Sequence, residues 1–389
     1  MENFRFSCPT EMIFGKDVQS FCGKETQKYG RKVLLHYGSG HIKKSGLYDQ
    51  VSKSLMDAGV DYIELGGVQP NPRLSLVREG IQLCRDNGVD FILAVGGGSV
   101  IDSAKAIALG TLYDGDVWDF YTTDITPTEA LPIGVVLTIP AAGSESSTGS
   151  VITDLDTSNK RHVDNAILRP KFALMNPELT CTLPSFQTAC GASDIMAHIM
   201  ERYFTRVSNV ELTDRLCEST LKTIIGNVPV VLAEPDNYDA RAEVMWAGSI
   251  AHNDFLGTGR VGDWASHMIE HELSAINDVA HGAGLAIIFP AWMRYVYKQD
   301  ISRFAQFAVR VWNKEMDYFN PEKTALAGID AIKSFFRSIG LPVSLSEIGI
   351  TPQHYEHIAD NCRRTGNNAV GSFVPLQSKD IIEILKIAQ

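Results

Sequence analysis

DFILAVGGGSVIDSAKAIALG, residues 90–110, decides the fold. The apolar run DFILAV passes directly into Gly96-Gly97-Gly98-Ser99 and then into SVIDSAKAIALG, which reads as a helix. Strand, glycine turn and helix form the unit from which doubly wound α/β sheets are built. A turn of this kind brings bare backbone N–H groups and a helix N-terminus up to whatever anion lies beyond it. The stretch is not the dinucleotide fingerprint GxGxxG, because Ile101 takes the third glycine position, and no GxxxxGK[ST] run occurs. A phosphate site and a close-packed strand–helix turn are both compatible with the glycines alone.

Outward from this stretch, further strand-like runs appear at 32–38 (KVLLHYG), 61–68 (DYIELGGV), 133–140 (IGVVLTIP) and 172–177 (FALMNP). Between the first three strands, SGLYDQVSKSLMDAG and PRLSLVREGIQLCRDNG repeat their apolar residues at three and four, the helical spacing. The alternation predicts an α/β N-terminal domain, a mostly parallel, Rossmann-like sheet with flanking helices. A short N-terminal segment, FRFSCPTEMIFG, is expected to pair as strands. From Pro184 onward the strand signal disappears, and helical patterns such as ELTDRLCESTLKTIIG and ISRFAQFAVRVWNKEM follow. The two prolines of NPELTCTLP (176–184) mark the boundary. Residues 1–183 are thus read as an α/β dinucleotide-binding domain and 184–389 as an all-helical metal-binding and substrate domain, with a cleft between them.

Composition narrows the class. The 389 residues are too many for one ordinary core, and 44% hydrophobic with 21% charged residues is the balance of a soluble globular protein. The net charge of -11 argues against a nucleic-acid partner. Seven scattered cysteines without a CxxC pair read as free thiols in a reducing compartment. The N-terminus lacks the pattern of a signal peptide, and no run reaches the roughly 18 apolar residues of a membrane span. The expected compartment is the cytoplasm, with no membrane partner.

Two more strand ends carry small and polar residues. HYGSGHIKKSG (36–46) offers Gly38, Ser39 and Gly40, followed by Lys43 and Lys44, with no acid before Asp49. A carboxylate near such a turn grips an adenosine ribose, whereas basic or small polar residues leave room for a 2′-phosphate, so the turn favours NADP(H) over NAD(H). Thr138-Ile139-Pro140-Ala141-Ala142-Gly143-Ser144-Glu145 closes the fourth strand with residues suited to the crevice where α/β ligands sit.

The helical half carries a different chemistry. In GASDIMAHIMERYF (191–204), Asp194 and His198 stand one turn apart on one helix face. Three histidines fall in VGDWASHMIEHELSAINDVAHGAGLAIIFP (261–290): His267 and His271 four apart, and His281 after a break at Asn277-Asp278. The motif is not HExxH, since Met268 follows His267. One carboxylate with two or three imidazoles suits Zn2+ or Fe2+ better than Mg2+ or Ca2+. Spacing does not decide which histidine is left out, and His252 in AHNDFLG is a further candidate.

These motifs together resemble the iron-containing (group III) alcohol dehydrogenase family, in its butanol dehydrogenase-like branch. The resemblance is carried by GGGSVIDSAK (96–105), AAGSE (141–145, the family's GTGSE), NPELTCTLP (176–184), GASDIMAHIMERYF (191–204), GDWASHMIEHELSA (262–275) and HGAGLAIIFP (281–290). It implies that Asp194, His198, His267 and His281 bind one divalent metal, and that His271 lies near the reaction centre as the catalytic residue. It implies NAD(P) with its pyrophosphate on Gly97-Gly98-Ser99, nicotinamide near Thr138, and contacts from Asn71, Asp102, Ser144, Leu179 and Leu183. Gly38 to Lys43 resembles the YGGGSIK turn of a branch that tends to use NADPH, and the family tends to form homodimers. Ala141-Ala142 in place of Gly-Thr, and Asn176 where Asp is usual, depart from its pattern.

The implied activity is reversible hydride transfer between a small primary alcohol or aldehyde, of the butanol/butanal type, and NADP(H). The metal acts as Lewis acid and His271 relays the proton. The dehydroquinate synthase-like architecture raises a second reading, a metal- and NAD-dependent lyase acting on a phosphorylated acid. Such a substrate needs several bases, and Arg260 is the one base read near Trp264, whereas Phe255, Trp264, Met268 and Phe289 favour an apolar substrate. A non-catalytic nucleotide-binding protein is a third.

Overall fold

The computed structural model describes residues 1–362 and 369–389. Its strands are β1 (Glu11–Phe14), β2 (Lys32–Tyr37), β3 (Asp61–Leu65), β4 (Phe91–Gly96), β5 (Ile133–Leu137), β6 (Gly149–Asp154), β7 (Asn159–Asp164) and β8 (Phe172–Met175). Six of them form one sheet in the order β1-β8-β5-β4-β2-β3 with every pairing parallel, and β6 and β7 form a separate antiparallel pair. The helices of this part are α1 (Cys22–Thr26), α2 (His41–Lys44), α3 (Leu47–Asp57), α4 (Leu74–Asn87), α5 (Gly98–Leu112) and α6 (Asp119–Thr122).

The central strands are apolar without alternation because both sheet faces are covered. Leu34, Ile92, Ala94 and Val135 enter one apolar cluster with α4 and α5. Their neighbours Val33, Leu35, Phe91, Leu93, Val95 and Val136 enter another with α3. β3 ends at Leu65, short of the expected 68, where Gly67 takes a φ of 97° that a pleated strand does not accommodate. The β6–β7 hairpin has no counterpart in the sequence reading, and of the N-terminal segment only Glu11–Phe14 forms a strand.

The remaining helices are α7 (Ser185–Tyr203), α8 (Glu211–Ala233), α9 (Tyr238–His252), α10 (Ala265–Asn277), α11 (His281–Val296), α12 (Ile301–Arg310), α13 (Pro321–Ser338), α14 (Tyr355–Cys362) and α15 (Ser378–Ile387). The chain divides into two compact units. One comprises Ser7–Leu183 and Asp236–Asn253, the other Met1–Phe6, Pro184–Pro235 and Asp254–Gln389. α9 belongs to the α/β unit because Met245 lies in its apolar cluster, Trp246 meets Phe14 edge-on and the Ser249 hydroxyl donates to Glu145.

In the helical unit α7 is buried almost throughout, from Thr188 to Tyr203 apart from Cys190. A helix enclosed on all sides is a core helix. Phe204, just beyond its end, stacks on Phe304 with ring centroids 4.6 Å apart and meets Phe307 and Trp292. Among the described residues one helix, α8, is by length and composition apolar enough to cross a membrane, yet its Asp214 is held in the interior by Arg260 and Arg303. Asp194, His198, Glu201 and Arg202 are the buried ionisable residues of α7, and burying such groups is costly unless they are paired.

Candidate active site: a buried carboxylate–histidine cluster and a glycine-lined sheet edge

Helical periodicity puts Asp194 and His198 on one face of α7, with His198 Nδ1 3.5 Å from Asp194 Oδ1. α10 supplies His267, whose Nε2 lies 3.9 Å from the same oxygen. The turn after α10, where Asp278 adopts a φ of 48°, reverses the chain so that His281 opens α11 with its Nε2 3.7 Å from Asp194 Oδ1. The ligand atoms of Asp194, His267 and His281 all lie within 4.8 Å of one another. The His198 ring stacks on that of His267 at 4.7 Å, and Trp264 walls both.

This donor set fits a divalent cation. Asp194 Oδ1 and His267 Nε2 are buried and have no hydrogen-bond partner among the described residues, although they face each other. Burial alone would lower the His267 pKa, but the carboxylates of Asp194 and Glu201 overcome it and raise the value to about 9. The carboxylates thus favour positive charge at this spot, which a bound cation would also supply. One carboxylate and three imidazoles are donors that iron and zinc both accept.

The α/β unit offers a second set of residues. β2 is flanked by β3 on one side and β4 on the other, so the strand order reverses between β2 and β4, the position at which open α/β sheets take their ligands. Gly38, Ser39 and Gly40 follow β2, while Gly97, Gly98 and Ser99 follow β4, which is paired with β2 through Tyr37 and Val95. α5 begins at Gly98 without a side-chain cap. The close-packing reading of the glycines has direct support, and the helix end beyond them carries no side-chain cap. A Cβ on Gly97 would meet Ile139 at 2.8 Å and one on Gly98 would meet Ala142 at 2.8 Å, so glycine is needed for packing as well as for an open helix end. Thr138 continues β5 by donating its N–H to Gly96 O, and Ser144 donates its hydroxyl to Asp102 Oδ1 at 2.6 Å.

Family models for iron-containing alcohol dehydrogenase match residues 9–177, and for the C-terminal part of that family residues 188–389. The chain belongs to the iron-containing alcohol dehydrogenase family. It is 44% identical to a probable NADH-dependent butanol dehydrogenase of Bacillus subtilis over 99% of both chains. It is 38% identical to an NADPH-dependent aldehyde reductase of Escherichia coli over 90% of both. The crystal structure of an NADH-dependent butanol dehydrogenase from Thermotoga maritima superimposes with a TM-score of 0.97 at 42% identity, covering 100% of this chain and 99% of that one. The protein is accordingly an oxidoreductase, an NAD(P)H-linked alcohol dehydrogenase or aldehyde reductase with a divalent metal.

Of the residues inferred for the metal in this alcohol dehydrogenase, Asp194, His267 and His281 bring their ligand atoms together, and His198 stands beside them, 3.5 Å from Asp194 and stacked on His267, while His252 closes α9 in the α/β unit, beside Gly143. His271 is buried with its ring centroid 5.5 Å from that of His281. Asn71 holds a φ of 54° in the loop before α4, and Leu179 packs against the apolar cluster on the sheet face that α3 covers, three residues after Asn176. Asn176 does what an aspartate could not: its Oδ1 accepts from Glu178 N while its Nδ2 donates to Gln19 Oε1 at 3.1 Å. Leu183 donates its N–H to Thr180 O at the end of the same segment.

Two neighbours, Glu64 and Arg202, escaped the sequence reading, and Phe289 takes a different role from the one expected. Glu64 on β3 lies 3.0 Å from Lys43 Nζ, which also sits over the rings of Tyr37 and Tyr48, so an acid does stand beside the turn. The base on Trp264 is Arg202, at 4.7 Å, and not Arg260, which is turned to Asp214 at 2.9 Å. Phe289 is fully buried against Phe204 and Trp292 and serves the core, not a pocket.

Proposed function

We propose that the enzyme interconverts small, fairly apolar aldehydes and primary alcohols of the butanal/butanol size. Asp194, His198, His267 and His281 would hold one iron or zinc ion, and His271 would serve as the proton relay. The observation that carries this is the convergence of the ligand atoms of buried Asp194 and His267 and half-buried His281 within 4.8 Å. A divalent ion bound there supplies Lewis acidity to the substrate oxygen. His271, buried beside His281, gives or takes the proton that accompanies hydride transfer. The indole of Trp264 forms an apolar wall beside His198 and His267 that keeps water from the reacting carbon.

For the cofactor, Gly38, Ser39, Gly40, Asn71, Gly97, Gly98, Ser99, Asp102, Thr138, Ser144, Leu179 and Leu183 are the proposed contacts. Relatives carry both NADH- and NADPH-dependent names, so the preference rests on the turn itself. Its small residues, with Lys43 and Lys44 close behind, support NADPH. Glu64 shares the Lys43 charge, which keeps NADH usable. A cytoplasmic homodimer is the proposed state, supported by seven cysteines none of which is in a disulfide and by the edge position of β1.

The lyase reading is not favoured. Arg202 is engaged with the His198 carbonyl and Asp254, and Arg260 with Asp214, so neither guanidinium is directed at a phosphorylated substrate. Metal analysis of the purified protein, alongside butanal reduction with NADPH and with NADH, tests the proposal. Turnover that persists undiminished after metal stripping would overturn it.

A further inference from the structure

Two carboxylates stand directly behind the proposed metal ligands. Glu201 lies on α7, three residues after His198, with its side chain fully buried. Its Oε1 accepts from the His267 ring at Nδ1 (2.8 Å) and from the His267 backbone N–H (3.1 Å), and its Oε2 accepts from Trp264 N (2.6 Å). Glu270 lies on α10, three residues after His267, and its side chain is also fully buried. Its Oε2 accepts from His281 Nδ1 and its Oε1 from the Ser274 hydroxyl. Gly284 makes room for it, since a Cβ there would fall 2.7 Å from Glu270 Oε1.

Burying a carboxylate is costly unless it is hydrogen-bonded, and two in one core mark a purpose other than packing. A carboxylate that accepts from Nδ1–H fixes the tautomer of the imidazole. The lone pair is then left on Nε2, which for His267 and His281 is the atom turned to Asp194. The pattern repeats from helix to helix: α7 orients the imidazole of α10, and α10 orients the imidazole of α11. We infer that Glu201 and Glu270 are positioning residues of the metal site, holding His267 and His281 in the ligating tautomer and orientation. The alternative, that they are struts tying the helices together, makes a different prediction. The inference rests on the ligand set proposed above.

The test is Zn2+ affinity, measured by chelator competition on the full chain stripped of metal, together with the melting temperature of the stripped protein. Glu201→Gln and Glu270→Gln keep the side-chain shape and remove the charge. Each is expected to weaken Zn2+ binding roughly 10- to 100-fold while the stripped variant melts close to the stripped parent. Wild-type Zn2+ affinity in both variants, with a lowered melting temperature, would establish struts and overturn the inference. His267→Ala, measured in parallel, separates the two levels: Zn2+ binding that survives this change removes the ligand set itself. If Glu201→Gln does not fold, Glu270→Gln decides alone. Visible absorption of the Co2+-loaded protein, a readout of ligand geometry, should shift in the glutamine variant and stay unchanged under the strut role.

Discussion

Lys105 Nζ donates to Ser144 Oγ at 2.9 Å, and the Ser144 hydroxyl donates onward to Asp102 Oδ1. The same ammonium reaches Ser147 O at 3.0 Å and Gly149 O at 2.8 Å, so one fully buried cation ties α5 to the AAGSE loop and to the start of β6. Burial lowers its pKa to about 8, with Asp102 the strongest of the charges opposing that fall. Lys105→Met leaves several buried acceptors without a donor, a loss on the order of 1–3 kcal/mol for each group that no water reaches. We expect the melting temperature to fall by several degrees and the KM for NAD(P)H to rise more than kcat falls. An unchanged KM with a lowered melting temperature would restrict Lys105 to a structural role.

Under the proposed ligand set, His267→Ala removes a metal ligand and His271→Ala does not. The first is expected to lose bound metal and alcohol oxidation together. The second should retain its metal, by elemental analysis, while turnover drops roughly 10²-fold, the lower end of what a positioned acid–base group contributes. Metal loss in the His271 variant would show that it ligates.

Periodicity exposed whatever depended on repetition. The apolar runs of β2, β4 and β5 and the three-and-four spacing of α3 and α4 were legible because a doubly covered sheet requires them. The β6–β7 hairpin was not: its second strand, NKRHVD, is polar at most positions and pairs apart from the main sheet. α9 reads as a helix, but nothing in its sequence says that Met245 and Trp246 pack on the α/β unit. In the site, Asp194 and His198 announced themselves by sharing a face. Glu201, Glu270 and Glu64 did not, because a glutamate in a helix or strand ordinarily marks a solvated position, and only the packed structure shows which are buried or paired.

His36, on β2, gives a stability signature in acid. It is fully buried, its Nδ1–H donates to Leu65 O at 2.9 Å, and its Nε2 accepts from the Ser103 hydroxyl at 2.9 Å. Burial lowers its pKa from 6.5 to about 4, so the folded state prefers the neutral ring. The unfolded chain then binds the extra proton first, and stability is lost as pH falls from about 6.5 through about 4. The shift corresponds to roughly 3 kcal/mol in total. Urea unfolding of wild type and His36→Gln across that range should show the difference between them shrinking as the pH falls. A difference independent of pH would mean that His36 titrates normally in the folded protein.

Gly282, next to His281, sets how closely α11 approaches α7. A Cβ built on it would lie 1.9 Å from the carbonyl oxygen of Cys190, an overlap with backbone that no rotamer change relieves. Gly282→Ala must therefore push α11 away from α7, at an overpacking cost of roughly 1–3 kcal/mol. His281 opens α11 and Asp194 lies one turn beyond Cys190 on α7, so the displacement falls on the 3.7 Å spacing between His281 Nε2 and Asp194 Oδ1. We expect Zn2+ affinity to drop at least tenfold in a variant that still folds, with NAD(P)H binding unaffected, since the sheet-edge residues belong to the other unit. Chelator competition and NAD(P)H fluorescence titration on the same preparation check both halves. Equal loss of both would point to general unfolding, and unchanged Zn2+ affinity would show that the helix spacing has slack the close contact does not suggest.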